Sequence, residues 1–489
     1  MLLSFSEYPQ LLSGPIYEPM IHLFLNDILR YTMKLLQVIF LGVNFMTAFC
    51  SGSNKSPNII LLLADDLGYS DLSCYGSQDV KTPNIDKLAS KGMMFTHFYA
   101  GSAVCSPSRA SLLTGRFSLR AGVYSWIHPS QNMHLRREEQ TIAEVLQSKG
   151  FDTAHIGKWH LGYQLEKNSG NQPNPGDQGF DFWMATGNNA NPSHQNPNNF
   201  VKNGVAVGET KGYSCQLVVD EAIQWLQNRT SKKSPFYLNL WFHEPHAKVA
   251  APARFRNRHL DKNNPDYYGC IENMDYEIGR LMSKVKEIGV QDNTAIIFTS
   301  DNGSYMKGSN GSLTGRKTQL WEGGIREPGI FIWPGKIRKG TQSSQPAGVV
   351  DILPTICEIV GVATPVDRVI DGASLIPAFY GNEINRRTPL YWFYNPSRPV
   401  CVIRENEFCL VADPTIELPK GNMFKESYIG DIKKSKLTNF RLYNLKEDPE
   451  QKRDLSILLP DKFNSMKATM LKTHLSVIAE AHDWRKNPF

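Results

Sequence analysis

Asn58-Ile59-Ile60-Leu61-Leu62-Leu63 is an apolar run without polar alternation, and after one alanine it ends on two adjacent carboxylates, Asp65-Asp66. A strand buried on both faces reads this way, and such strands belong to parallel sheets covered by helices on each side. Farther along, Thr153 to Ile156, Phe236 to Phe242 and Thr294 to Thr299 read as strands of the same kind. Helical patterns stand between them. One runs from Pro83 to Lys91 and is stopped by Gly92, and another opens on the capping box Thr141-Ile-Ala-Glu144 and ends at Gly150. Asp220 to Asn228 and Asn273 to Ile288 show further helical periodicity. The alternation predicts an α/β core, a large mixed and mostly parallel sheet between helices, over residues 53–386. After about Arg387 the texture shifts to short strand-like runs, Leu390 to Tyr394, Val400 to Arg404 and Phe408 to Ala412, and then a helical pattern from Pro460 to His482. Residues 387–489 are therefore expected to form a smaller C-terminal antiparallel sheet with a packed helix.

Polar residues gather where the strands stop. Asp65-Asp66 follow the first, Gly157-Lys158-Trp159-His160 the second, His243 and His246 the third, and Ser300-Asp301-Asn302-Gly303 the fourth. In an open α/β sheet ligands bind outside the carboxyl ends of the strands, so four distant segments are expected to converge on one crevice. The Asn-, Pro- and Gly-rich stretch from Gly162 to Asn203 is too long for a plain connection and reads as a substrate-facing loop.

The chain has 489 residues, enough for two to four domains, which excludes a lone binding module or a small disulfide scaffold. A net charge of +6 is too dilute over this length for a nucleic-acid surface, and 41% hydrophobic with 20% charged residues excludes global disorder. From Met33 to Cys50 the chain has Lys34, an apolar run from Leu35 to Met46, and small residues at the end. Residues 33–52 thus read as a cleaved secretory signal peptide, with a signal anchor as the alternative, because the apolar run is shorter than a membrane span needs. Residues 1–32 carry Glu7, Glu18, Asp27 and Arg30, which no signal peptide needs, and form an upstream extension. Eight cysteines make no CxxC pair, and loss of Cys50 leaves an odd number. Cys401 and Cys409 could close a short hairpin, with the pairing left open by sequence. The sequons at Asn54, Asn228 and Asn310 are expected to carry glycans, in line with a lysosomal or extracellular destination.

The most informative segment is Cys105-Ser106-Pro107-Ser108-Arg109-Ala110-Ser111-Leu112-Leu113-Thr114-Gly115-Arg116. Pro107 suits the first position of a helix, which would set Cys105 at a helix N-terminus, where anions are favoured. Taken alone, Cys105 reads either as an activated thiolate or as a buried structural cysteine. The whole string, however, resembles the sulfatase signature, Cys-x-Pro-Ser-Arg followed at fixed spacing by Thr-Gly-Arg. The resemblance extends to Gly157-Lys158-Trp159-His160-Leu161-Gly162, to Lys317 ahead of Trp321-Glu322-Gly323-Gly324, and to Leu442-Tyr443-Asn444-Leu445 with Asp448-Pro449. Within the family it is most similar to the arylsulfatase A and N-acetylgalactosamine-6-sulfatase group. The resemblance implies an alkaline-phosphatase-like sandwich, and conversion of Cys105 to formylglycine by the formylglycine-generating enzyme. It also implies a hydrated aldehyde that attacks sulfur and later expels sulfate as the aldehyde reforms.

Asp65, Asp66 and Asp301 would put three negative charges in a crevice meant for an anionic ester, so a divalent cation is needed. Three carboxylates with the Asn302 carbonyl are hard oxygen donors that suit Ca²⁺ or Mg²⁺ rather than zinc, and a secretory compartment favours one calcium per chain, with the Cys105 position counted among its ligands. Asn302 also heads a sequon, and a ligand there is expected to be unglycosylated. By resemblance, Arg109 lies against the formylglycine and metal, Lys158 and Lys317 hold sulfate oxygens, His160 stands beside the formylglycine hydroxyl, and His246 protonates the departing alcohol. Asn188 and Ser193 are weaker candidates for a further sulfate contact. The expected activity is a sulfuric ester hydrolase acting on sulfated carbohydrates of glycosaminoglycan type or on aryl sulfates, with a homodimer left open and no nucleic-acid partner. Two alternatives stand beside it, a phosphodiester or phosphonate monoester hydrolase of the same superfamily and a non-catalytic carbohydrate-binding relative.

Overall fold

The computed structural model describes residues 56–486 except 168, 230–232, 307–308 and 420–422. The readings made for residues 1–32, for the signal peptide 33–52, for Cys50 and for Asn54 lie outside the described residues.

Strands β1 (Asn58–Asp65), β2 (Met93–Tyr99), β3 (Asp152–Lys158), β4 (Phe182–Thr186), β5 (Phe236–Pro245), β6 (Thr294–Ser300) and β7 (Arg326–Ile332) form the body of an eleven-stranded sheet. Their spatial order is β2-β7-β6-β1-β5-β3-β4, with short strands at both margins. β1, β3, β4, β5 and β6 are parallel, while β7 is antiparallel to β2 and β6. The carboxyl ends of β1, β3, β5 and β6 therefore share one edge. β1 behaves as its composition demands: Ile59 to Ala64 are each 0% exposed. Alternate residues feed two cores. Ile59, Leu61 and Leu63 join the cluster on one face, and Ile60, Leu62 and Ala64 the cluster on the other. Full burial of each such aliphatic side chain contributes about 1.5–3 kcal/mol.

Helix α1 (Pro83–Lys91) supplies Ile85 and Leu88 to the second cluster. Helix α2 (Cys105–Thr114) and the short α3 (Ile142–Gln147) pack on the first. The capping box is formed: the Glu144 amide donates to Thr141 Oγ1 at 3.2 Å and the Thr141 amide to Glu144 Oε2 at 2.8 Å. Helices α4 (Ser214–Asn228) and α5 (Pro265–Glu287) cover the second face. Both begin earlier than their periodicity indicates. In α5 the start is an Asn264 cap with Pro265 at the first position, a local signal that the apolar spacing hides.

β8 (Leu390–Phe393), β9 (Cys401–Glu405), β10 (Phe408–Pro414) and β11 (Leu437–Asn444) make a four-stranded antiparallel sheet, followed by helix α6 (Pro460–Glu480). Its apolar residues belong to the same cluster as α2, so the small sheet and α6 share a core with the large sheet. The end of α6 reaches the loop after α2: Glu480 pairs with Arg116 at 2.8 Å and with Arg120. Just beyond, the Tyr124 hydroxyl donates to the His482 carbonyl at 2.7 Å, and Trp484 Nε1 donates to the Gly122 carbonyl at 2.8 Å.

Three expectations change. Cys105, not Pro107, opens α2 after an extended Val104; Pro107 falls third, within the first turn, where no intrahelical bond is lost. Cys401 and Cys409 are both free, because the β9–β10 register sets Cys401 against Ala412 and Cys409 against Arg404. The stretch 162–203 is not one loop, since β4 and the strand Val201–Lys202 carry the sheet through it.

The segment after β1 is pinned through a buried acid. Gly68 N–H donates to Asp71 Oδ2 at 2.8 Å and the Tyr267 hydroxyl of α5 donates to it at 2.6 Å. Burial outweighs these bonds and pushes the Asp71 carboxyl up from 3.8 to about 7. Between those values the folded chain keeps a proton that the unfolded chain has released, so this group stabilises the fold below about 4 and loses that contribution as the pH rises through about 7. Asp71→Asn is expected to remove up to roughly 4 kcal/mol of this dependence. Thermal midpoints measured at acid and neutral pH should converge between parent and variant at acid pH and separate in the variant's favour at neutral pH. Parallel profiles would show that Asp71 does not carry a proton in the fold.

Candidate active site

β1 delivers Asp65 to the sheet edge, and an irregularity in its pairing with β5 falls between Leu63 and Asp65, freeing the strand end from regular pairing. Asp66 follows with φ of +64° and His160, beyond β3, with +54°, both in the left-handed region. Such backbone is sparsely populated by non-glycine residues and concentrates at functional sites. Gly157, at φ of +115°, lies where an added Cβ would stand 1.8 Å from the Trp241 carbonyl oxygen, so only glycine lets β3 run against β5 here.

Arg109, one turn into α2 and 0% exposed, is the centre of the cluster. Its Nε donates to Asp301 Oδ2 at 2.9 Å, Nη2 stands 2.7 Å from the same oxygen and 3.4 Å from Asp65 Oδ1, and Nη1 donates to the Lys158 carbonyl at 3.0 Å. The guanidinium also lies over the Trp241 ring, 5.0 Å from its centroid. Lys158 Nζ donates to Asp65 Oδ2 at 2.7 Å, and Lys317 Nζ to both Asp66 oxygens at 2.6 Å. Lys317 Nζ is also 4.0 Å from Cys105 Sγ. Burial alone would raise the Asp65 carboxyl, but Lys158, His246, Arg109 and Lys317 together hold it well below the carboxylate range. Burial opposes the charge on Lys317 too, and Asp66 overcomes it and raises the ammonium above its ordinary value. Burial pushes the Cys105 thiol up despite Lys158 and Lys317, so the unmodified side chain is a protonated, poorly nucleophilic thiol.

Ligand atoms of Asp65, Cys105 and Asp301 lie within 4.8 Å of one another, as do those of Asp65, Asp66 and His246. Asn302 Nδ2 donates to Asp66 Oδ1 at 2.7 Å, which leaves Asn302 Oδ1 buried with no hydrogen-bond partner; Asp65 Oδ1 is likewise buried without a hydrogen bond, its ion pair to Arg109 Nη2 standing at 3.4 Å. Buried acceptor oxygens left unpaired among carboxylates are costly unless a cation completes them. The donor set is all hard oxygen apart from the sulfur and imidazole at its margin, and it fits calcium.

His160 Nε2 donates to the Ile127 carbonyl at 2.9 Å, leaving buried Nδ1 without a partner, and burial with Lys158 holds the ring well below its ordinary value. His160 is therefore a neutral acceptor. His246 Nε2 stands 3.5 Å from Asp66, and burial outweighs that carboxylate to lower the imidazole to about 4. His243 turns Nε2 to Thr186 Oγ1 at 2.8 Å, and that hydroxyl donates to the Asn188 carbonyl. Asn188 Oδ1 is buried and unpartnered beside this chain. Ser193 instead closes a local turn with Gln195, its hydroxyl donating to the Gln195 carbonyl at 3.1 Å, and is not joined to the cluster by any hydrogen bond. Trp241 and Thr186 escaped sequence reading because each looks like an ordinary strand residue.

A family model described as Sulfatase matches residues 57–362. N-acetylgalactosamine-6-sulfatase of Canis lupus familiaris is 33% identical over 375 residues, 70% of this chain and 69% of that protein. Steryl-sulfatase of Rattus norvegicus is 30% identical over 432 residues, 71% of this chain and 74% of that one. Among solved structures, Ps i-CgsB in complex with k-i-k-neocarrahexaose superposes with a TM-score of 0.74 at 26% identity, covering 88% of this chain and 94% of that chain.

Proposed function

Since the chain belongs to the sulfatase family and is a sulfuric ester hydrolase, we propose that it removes sulfate from sulfated carbohydrates of glycosaminoglycan type or from aryl sulfates, with Cys105 converted to formylglycine and one calcium held by Asp65, Asp66, Asp301 and Asn302. The observation that carries this reading is the pair of orphaned acceptors, Asp65 Oδ1 and Asn302 Oδ1, buried beside Cys105 and two lysines. When bound, calcium supplies positive charge to a sulfate oxygen, and formylglycine supplies a hydroxyl nucleophile on a carbon that can return to a carbonyl.

The chain's own residues do the rest. Lys158 and Lys317 rest on Asp65 and Asp66, and with calcium held by those carboxylates their ammonium groups would be available to the sulfate oxygens. Arg109 fixes Asp65 and Asp301 in place and lends its charge to the same crevice. His160 Nδ1 holds a proton from the nucleophile position, and His246, its Nδ1 tied to the Ala247 carbonyl at 2.7 Å, would give one from Nε2 to the departing alcohol oxygen after taking it up as the anionic ester enters. Asn188, whose carbonyl accepts from Thr186 Oγ1, adds a polar contact for sulfate, whereas Ser193 is held in its turn with Gln195.

Cys105 is 3% exposed, so the formylglycine-generating enzyme would act on this segment before it folds. Asn228 ends α4 on the surface and suits a glycan. Asn310 is 5% exposed and its Nδ2 donates to the Ser304 carbonyl at 3.0 Å, which does not suit a glycan. Among the described residues no helix is long and apolar enough to cross a membrane. The lysosomal or extracellular destination rests on the layout from Met33 to Cys50.

Turnover of matched aryl sulfate and aryl phosphate esters tests the reading, with sulfate expected to be strongly preferred; preferred phosphate cleavage would favour the phosphodiester or phosphonate alternative. Chelation is expected to abolish turnover and to lower the thermal midpoint, with both restored by calcium. At an ion concentration roughly 100-fold above its Kd the stabilisation lost is about 2.7 kcal/mol. A midpoint and a rate indifferent to chelator would remove the metal.

A further inference from the structure

A second charged cleft lies apart from the catalytic cluster and shares no residue with it. Its volume is about 700 Å³, and it opens between the segment leading into β8, the β9–β10 turn and α6. Arg404 is its anchor. This side chain is 3% exposed; Nε donates to the Tyr99 hydroxyl at 3.1 Å and Nη1 is buried with no partner. The nearest carboxylate in that chain, Glu322, reaches it only through Tyr99, whose hydroxyl donates to Glu322 Oε2 at 3.0 Å, and Glu322 already faces Arg326. A buried guanidinium with no carboxylate of its own leaves uncompensated positive charge beneath the cleft.

The rim has the same sign. Arg387 and Lys472 are exposed on the cleft, and among the described residues neither is paired with a carboxylate. Arg120 and Arg386 also line it, but their charges are met by Asp371 with Glu480 and by Asp351. Glu405, the carboxylate among the lining side chains, is bridged by Lys462 at 3.1 Å. Three cations, one deep and two at the mouth, are thus left uncompensated. The other lining groups are mainly hydroxyls and amides, such as Gln345, Asn406 and Thr469, which suit the hydroxyls of a sugar.

The geometry points to a non-catalytic site for a sulfated oligosaccharide, with neighbouring sulfates of one chain on Arg387 and Lys472 above the buried positive charge of Arg404. The site would hold a polymeric substrate while another part of it is hydrolysed. It does not depend on which sugar the catalytic cluster accepts, because binding is read without turnover.

The test measures binding of a heparin-derived hexasaccharide to full-length Cys105→Ala protein, with and without the added pair Arg387→Gln and Lys472→Gln. Chemically desulfated hexasaccharide and inorganic sulfate serve as further probes. Loss of two exposed charges is expected to weaken the sulfated hexasaccharide about tenfold, while the desulfated chain and inorganic sulfate bind far more weakly to the parent. In protein retaining Cys105, the same pair should leave turnover of a small aryl sulfate unchanged. The proposal is overturned by equal hexasaccharide affinity with and without the pair, by inorganic sulfate binding as tightly as the hexasaccharide, or by a parallel fall in aryl sulfate turnover. Absence of sulfatase activity in the parent would count against the proposed reaction and leave the binding comparison intact.

Discussion

Replacing Cys105 with serine is expected to lower turnover of an aryl sulfate by roughly 10⁴-fold or more, the scale of losing a nucleophile. The substitution is small and the first position of α2 tolerates a hydroxyl, so the fold should survive. What is lost is chemical. The serine Cβ carries a single oxygen and lacks the second one needed to expel sulfate and regenerate a carbonyl, so a sulfated serine would persist rather than turn over. The position is also poorly suited to ordinary thiol chemistry, since burial raises the Cys105 thiol and 3% exposure leaves little access to oxidants. Peptide mass spectrometry across Cys105 supplies the companion measurement, with aldehyde expected in place of thiol in the parent. Undiminished steady-state activity in Cys105→Ser would sink the mechanism outright.

Arg109→Met carries the largest expected effect on stability. Its guanidinium is fully buried and faces two carboxylates, Asp301 at 2.7 Å and Asp65 at 3.4 Å. Removing one partner of a buried ion pair leaves the others uncompensated, at a cost of about 3–5 kcal/mol. Methionine keeps much of the volume over Trp241, so the loss should be electrostatic rather than a cavity effect. A clear fall in thermal midpoint is the expected result, partly recovered by saturating calcium, which would relieve the same carboxylates. A midpoint equal to the parent's in chelator would mean that those carboxylates do not depend on Arg109 for neutralisation.

The sequence disclosed the site better than it disclosed the sheet. β1 was readable because both its faces are buried, so every position from Ile59 to Leu63 had to be apolar, and the α3 capping box was readable because its two reciprocal bonds are local. β7 was hidden. Arg326, Glu327, Pro328 and Gly329 look like a turn, yet they lie between β2 and β6, and Pro328 is accommodated where the β2 register shifts between Phe95 and Phe98. β2 was hidden by Thr96 and His97, whose polarity breaks the apolar run. Asp65, Asp66, Lys158, Asp301 and Asn302 could be gathered in advance because parallel strands share a carboxyl edge. Lys317 and Cys105 lie outside that rule and needed the motif. Nothing in the string marked Trp241 as the surface beneath Arg109, since that contact depends on the neighbouring register of β1, β5 and β3.

The contacts from Glu480, His482 and Trp484 to Arg116, Arg120, Gly122 and Tyr124 give this C-terminal segment a hold on the loop that leaves α2, the helix of Cys105 and Arg109. Loss of the segment from Glu480 to Trp484 would therefore act as a lesion of the candidate site in disguise, sparing every residue of the signature while loosening the ground on which it stands.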